Sequence, residues 1–227
     1  MASADSDRAA STVDSPVRGQ LSNPGARPGV PQYRRNLNAL TLKLLIAGGF
    51  GVGKTTMVGS VSEVPPLRTE EALTAASATV DDLTGVERKT TTTVALDFGR
   101  ITINPELILY LFGTPGQDRF WFMWDELAIG ALGAVVLADT RRLESCFPAV
   151  DFFERRQIPF VVGVNCFDDA YRYGTEEVRD ALELDESVPV LLCDARDKES
   201  TKQVLVTLIE HVMATQRNLA GTLPRLS

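Results

Sequence analysis

Histidine is nearly missing from this chain: its 227 residues hold one, His211. A two-histidine zinc site is therefore excluded, and any mixed Cys/His cluster has a single imidazole to draw on. Cysteine is scarce as well. Cys146, Cys166 and Cys193 are odd in number and form no CxxC pair, so they read as reduced buried thiols and not as a disulfide frame. Positive charge is in deficit, with 23 Lys plus Arg against 30 Asp plus Glu and a net charge of -7. That sign argues against a general electrostatic hold on nucleic acid or anionic lipid. Long apolar runs are lacking too. The longest, Ala128–Ala138, is far shorter than the ~20 residues a bilayer requires. No basic-then-apolar leader, no glycine after Met1 and no cysteine in the LPRLS end are present to direct or anchor the chain. The expectation is a cytoplasmic protein with no integral membrane segment, reaching a membrane only through protein partners.

What remains divides into an arm and a domain. Residues 1–36 contain Pro16, Pro24, Pro28 and Pro31, and beyond Met1 their only aliphatics larger than alanine are Val13, Val17, Leu21 and Val30. So little apolar surface cannot offset the entropy of ordering, and the arm is expected to be disordered. Its three acidic and five basic residues leave the rest at 18 basic against 27 acidic, a net charge of -9. One domain is expected over residues 37–220, followed by a short tail at 221–227. Within it, Leu40–Ala47, Thr93–Ile103, Leu107–Phe112, Gly133–Ala138, Ile158–Val164 and Val188–Leu192 read as six strands. Asn104-Pro105 turns the second into the third as an antiparallel hairpin. The later runs are continuously apolar, as parallel strands covered on both faces are. Helices are expected at Lys54–Val61, Phe120–Ile129, Glu144–Gln157, Thr175–Leu184 and Ser200–Arg217. The fold class is α/β, a doubly wound, mostly parallel six-stranded sheet whose ligands sit at the carboxyl ends of strands.

The first strand runs directly into Gly48-Gly49-Phe50-Gly51-Val52-Gly53-Lys54-Thr55, a complete G-x-x-x-x-G-K-T. Glycines at Gly48, Gly51 and Gly53 let successive N–H groups, Val52's included, turn inward around phosphate oxygens. The N-terminus of the following helix, with Thr55 and Thr56 in its first turn, adds its positive end. Lys54 is placed to reach the β/γ-phosphates and the Thr55 hydroxyl to ligate Mg2+. Base choice is written further on. Asn165-Cys166-Phe167-Asp168 ends a strand as N-x-x-D, and the Asp168 carboxylate can accept from both the ring N–H and the exocyclic amine of guanine. Adenine offers no such donor pair and would leave a charge unpaired. Cys193-Asp194-Ala195 follows the next strand, where the Ala195 N–H can meet the guanine O6. Gly113-Thr114-Pro115-Gly116-Gln117 follows Leu107–Phe112 and lies beside the phosphates.

These four segments, each at the end of a strand, resemble a Ras-like P-loop small GTPase over residues 40–217. The Thr-rich Lys89–Gly99 stretch, the LFGTPGQ run and the aromatics after it are similar to the actinobacterial conservon GTPases (CvnD type), and in turn to the polarity GTPase MglA. What the resemblance implies is a guanine-nucleotide switch that binds GTP/GDP with Mg2+ and hydrolyses GTP slowly. Its implied partners are a roadblock/LC7-type regulatory protein and a sensor kinase complex. By the same resemblance Thr93 senses the γ-phosphate and contacts Mg2+, with Thr92 its rival in the run Thr90–Thr93. Gly116 contacts the γ-phosphate through its N–H, and Gln117 orients the attacking water. Two departures stand out. Gly113 occupies the place of the usual metal-side aspartate, and Cys166 that of the lysine whose stem packs over the base.

Two further stretches leave alternatives open. Ser62–Lys89 is longer than a minimal domain of this kind needs at the first switch; it is either an extra short element or a solvated loop. In Phe120–Leu127, the residues Phe120, Met123, Trp124 and Leu127 share one helical stripe, which leaves Trp121 and Phe122 off it. Exposed aromatics beside a nucleotide-sensing loop suit a state-dependent partner surface, so Trp121 and Phe122 are the candidate partner-binding residues; the alternative is a packed switch helix. The alternative function is a nucleotide-binding adaptor with little or no hydrolysis, scaffolding a membrane-associated sensor complex.

Overall fold

The computed structural model describes residues 39–65, 67–74, 91–117 and 120–222. Residues 1–38 (the expected arm included), Pro66 and the segment 75–90 around the first switch, Asp118-Arg119 and residues 223–227 lie outside the described residues. The elements run β1 (Leu40–Gly48), α1 (Lys54–Val61), β2 (Leu67–Thr74), β3 (Thr91–Asn104), β4 (Leu107–Gly113), α2 (Phe122–Ala128) and β5 (Ala131–Ala138). A 3-10 turn at Leu143–Cys146 then leads into α3 (Phe147–Arg156), β6 (Phe160–Asn165), α4 (Thr175–Ala181), β7 (Val190–Cys193) and α5 (Lys198–Thr222).

The sheet order is β2-β3-β4-β1-β5-β6-β7. β1, β4, β5, β6 and β7 pair in parallel, while β3 is antiparallel to both β4 and β2. All six expected strands are present, and β2 adds a seventh at the edge. Its register runs from Leu67↔Phe98 to Thr74↔Thr91, so part of the first-switch stretch is an added strand. The β3–β4 turn forms at the Asn104-Pro105 site, where the Asn104 side chain accepts the Glu106 N–H at 2.8 Å. α5 runs to Thr222, two residues into the expected tail.

Strand periodicity sorts the core into two layers. On β1, Leu44 and Ile46 face α1 and α5, meeting Met57, Val58, Val61, Val204, Leu205 and Leu208. Leu45 and Ala47 face the other way, toward Trp124, Val150, Phe153 and Val178 of α2, α3 and α4. Both faces of β1 are thus covered, which is why its sequence is apolar without alternation. Each fully buried side chain of this size contributes about 1.5–3 kcal/mol. The chain leaves β1 to one side for β3 and β4, then crosses to the other side for β5. That reversal opens the crevice at the carboxyl end of β1.

Candidate functional site

The phosphate loop fills that crevice, and its backbone is shaped for close approach. Gly48 has φ 130°, and a Cβ there would stand 2.4 Å from the Leu137 carbonyl oxygen. Gly53 has φ 110° and is tight against the Asn165 amide. Both are conformations and spaces that only glycine takes without strain. Lys54 is 8% exposed, and its ammonium donates to the Gly48 carbonyl at 2.9 Å and the Gly49 carbonyl at 2.7 Å. Burial pushes its pKa down to about 8, against the pull of the Asp97 carboxylate. Arg142, from the turn after β5, donates to the Phe50 carbonyl at 3.1 Å and so fastens the loop from outside.

On one flank of the loop, Asn165 at the end of β6 is 6% exposed and fully engaged. Its amide nitrogen donates to the Val52 carbonyl at 2.9 Å, and its amide oxygen accepts the Ala195 N–H at 3.0 Å. The phosphate loop, the N-x-x-D strand end and the turn after β7 are therefore one hydrogen-bonded unit. Asp168 lies at its open side with a side chain 78% exposed, receiving Arg196 in a fork at 2.9 and 3.1 Å. Arg196 also holds Asp194. The guanidinium's hydrogen bonds keep the Asp168 carboxyl below the usual carboxylate range. Cys166 is half-buried, while burial pushes the Cys193 thiol up to about 12.

The opposite flank is built from β3, β4 and the loop after β4. Thr55 Oγ1 donates to Asp97 Oδ2 at 2.6 Å. The Thr114 N–H donates to the Ile46 carbonyl at 2.9 Å. A Cβ on Gly116 would lie 2.5 Å from Lys54 Nζ and 2.9 Å from the Gly49 carbonyl group, so this loop rests on the phosphate loop itself. Gln117 follows, its carbonyl accepting the Phe120 N–H at 3.0 Å. Thr93, where the sequence reading starts the strand, lies two residues inside β3. β3 begins at Thr91, and Thr93 pairs in register with Ala72 because β2 supplies a ladder partner that far back.

Beyond Gln117 the helical stripe packs as its spacing requires. Phe120 and Trp124 are buried, and Trp124 stacks with Phe153 and meets Phe152 edge-on. Its indole N–H donates to the Pro115 carbonyl at 3.2 Å, joining α2 to the loop that carries Gly116. Trp121 is 40% exposed and Phe122 62%.

Sequence reasoning missed three side chains at this site: Asp97, Arg142 and Arg196. The run D-A-R and the Asp97–Phe98 pair were visible, but each residue's partner lies on another strand or turn. At the end of β5, Asp139 accepts the Arg141 N–H at 3.0 Å and also binds that residue's guanidinium. Among the described residues no cluster of three or more His, Cys, Asp or Glu forms a metal-binding group, and no helix is long and apolar enough to cross a membrane.

Comparison with known proteins gives the family. The family described as "Conserved hypothetical ATP binding protein" matches residues 46–215. An uncharacterized protein of Methanocaldococcus jannaschii, MJ1339, is 30% identical over 129 residues, covering 56% of this chain and 71% of its own. Among solved structures, the G domain of the Thermotoga maritima FeoB iron transporter superposes with a TM-score of 0.54 at 16% identity, over 76% of this chain and 99% of that one. The FeoB G domain of Methanococcus jannaschii gives 0.51 at 14% identity, over 76% and 98%. The larger cytosolic domain of the T. maritima protein gives 0.55 at 16% identity; the chain covers 64% of its length. The fold is thus that of P-loop G domains, and the chain belongs to the conserved hypothetical ATP-binding family.

Proposed function

We propose that this chain is a guanine-nucleotide-binding switch of the conservon and MglA-like kind, binding GTP and GDP with Mg2+ and hydrolysing GTP slowly. The observation that carries this reading is the flank where Asn165 ties Val52 to Ala195. It fixes the base-side turn to the phosphate loop and leaves the Asp168 carboxylate at its mouth, where guanine's paired donors would meet it. On this reading Gly48, Gly51, Val52, Gly53, Lys54, Thr55 and Thr56 bind the phosphates. Gly116 reports the γ-phosphate, Gln117 aligns water, and Thr55 and Thr93 face the metal. Turnover is slow because no arginine is supplied toward the γ-phosphate from the described switch loop. A roadblock/LC7-type partner, docking on Trp121 and Phe122, would set the loop into its hydrolytic arrangement. Signalling through such a partner, within a sensor kinase complex at the cytoplasmic face of a membrane, is the corresponding biological role.

A second reading has its own support. The family is described as ATP binding, and Arg196 already fills both oxygens of Asp168. A base lacking guanine's donor pair would not then leave that charge bare. Displacement of fluorescent GDP by unlabelled GTP and ATP separates the two. The guanine reading expects GTP to compete at concentrations at which ATP does not, and equal competition by ATP ends it. Single-turnover hydrolysis with Mg2+ then distinguishes the switch from an adaptor that holds nucleotide without cleaving it.

A further inference from the structure

Where the resemblance implies an aspartate at the end of β4, the chain has Gly113. The register places Asp97 of β3 directly across from it. A Cβ built on Gly113 would stand 2.9 Å from the Asp97 Cβ and 3.0 Å from its Oδ2. The volume that a side chain at 113 would take is therefore taken by the Asp97 carboxylate, reaching over the bare glycine from the neighbouring strand. There it meets the Thr55 hydroxyl at 2.6 Å, at the first turn of α1. One residue past Gly113, Thr114 is 2% exposed, and its hydroxyl has no hydrogen-bond partner among the described residues.

We infer that Asp97 is the carboxylate that holds the divalent cation at this site, entering from β3 in place of the missing aspartate at 113. The residues fit such an ion: a hydroxyl and a carboxylate oxygen adjoin each other beside the phosphate loop, and Mg2+ takes oxygen donors from one or two carboxylates plus phosphates and water. A bound cation supplies charge neutralisation to the phosphates. Asp97 supplies the negative charge that retains the cation and an acceptor that orients the Thr55 hydroxyl. Gly113 is then a permissive position, kept small so that the carboxylate of the adjacent strand passes. The absence of an acid at 113 is a relocation of that charge by one strand, not its loss. This inference rests on the guanine-nucleotide reading above.

The test is release of fluorescent GDP from the full-length protein, titrated with MgCl2 after EDTA treatment. Wild-type protein should release GDP more slowly as Mg2+ rises. Asp97→Asn keeps an acceptor for Thr55 and removes the charge; it should need about 10–100-fold more Mg2+ for the same slowing. Its release rate in EDTA should equal that of the wild type, which also shows that the pocket is intact. Asp97→Ala should behave likewise, and Mn2+ bound to the GDP complex, counted by electron paramagnetic resonance, should fall in parallel. Variants with wild-type Mg2+ dependence would overturn the inference while leaving guanine binding in place. Wild-type protein that fails to bind GDP at all would overturn the reading beneath it.

Discussion

The two flanks of the phosphate loop are built on opposite terms. On the Asn165 flank every buried group is matched before a ligand arrives: Val52, Asn165 and Ala195 satisfy one another across three segments. On the Asp97 flank the contacts are stand-ins. Lys54 points its ammonium at its own loop's carbonyls, Gly116 presses on that loop, and Thr55 is engaged by Asp97. Preorganised groups add affinity because no ordering remains to be done. Provisional ones must exchange partners, and that exchange is what lets a ligand move the structure. On the proposed reading, the Asn165 flank would receive its ligand with little rearrangement, and the Asp97 flank would be the one that rearranges.

The sharpest way to break this contrast is at Lys54. Lys54→Ala should weaken triphosphate binding by on the order of 100-fold or more, since it removes a buried charge from phosphate contact. Calorimetry with GTP measures it, and circular dichroism confirms the fold. Asn165→Ala comes next. It strands the Val52 carbonyl and the Ala195 N–H, at about 1–3 kcal/mol for each buried group left unmatched. The melting temperature of the nucleotide-free protein should drop by about 4–24 °C for a chain of this size. A melting temperature within a degree of wild type would show that the flank is not preformed. Asp168→Asn should cost at least about tenfold in GDP affinity and shift preference toward xanthine nucleotides, read by displacement with xanthosine diphosphate.

Acidity offers a subtler handle on the provisional flank. Burial puts the free Lys54 pKa at about 8, and an anionic phosphate beside it must raise that value in the complex. Nucleotide affinity should then be flat below pH 8 and fall above it, by up to about tenfold per unit for one proton. The same depression makes nucleotide-free protein gain stability as pH climbs from about 8 toward the unfolded lysine value near 10.4, because the unfolded state then holds the extra proton. Lys54→Met should abolish both trends. Least disruptive is Trp121→Ala. With the ring 40% exposed, GDP affinity and melting temperature should stay near wild type while binding of a roadblock-type partner falls. A lower melting temperature with partner affinity unchanged in the folded fraction would return Trp121 to the core.

Much of this was legible because it is local. The apolar runs of β1, β5 and β6 and the G-x-x-x-x-G-K-T turn carry their structure in consecutive residues. So does the Phe120/Met123/Trp124/Leu127 stripe, with Trp121 and Phe122 left outward. What escaped is relational. β2 reads as mixed polar sequence, and its strand identity comes from the ladder β3 offers it. Asp97 became visible only when the register set it opposite Gly113. Arg196 sits two residues from Asp194 in sequence, yet its fork to Asp168 spans the gap between β6 and β7. Cross-strand distance leaves no periodic trace in a single chain.

The narrow space between positions 97 and 113 also has a genealogical meaning. A side chain at 113 and the present Asp97 would overlap, with Cβ atoms only 2.9 Å apart. Moving the acid to 113 in one substitution, with Asp97 retained, forces a backbone shift, and losing Asp97 first leaves neither strand with an acid. If Asp97 is the cation's carboxylate, the two ways of furnishing it compete for one volume. Position 113 should therefore vary among descendants only together with 97, a pairing that compensatory double substitution in the laboratory would have to reproduce.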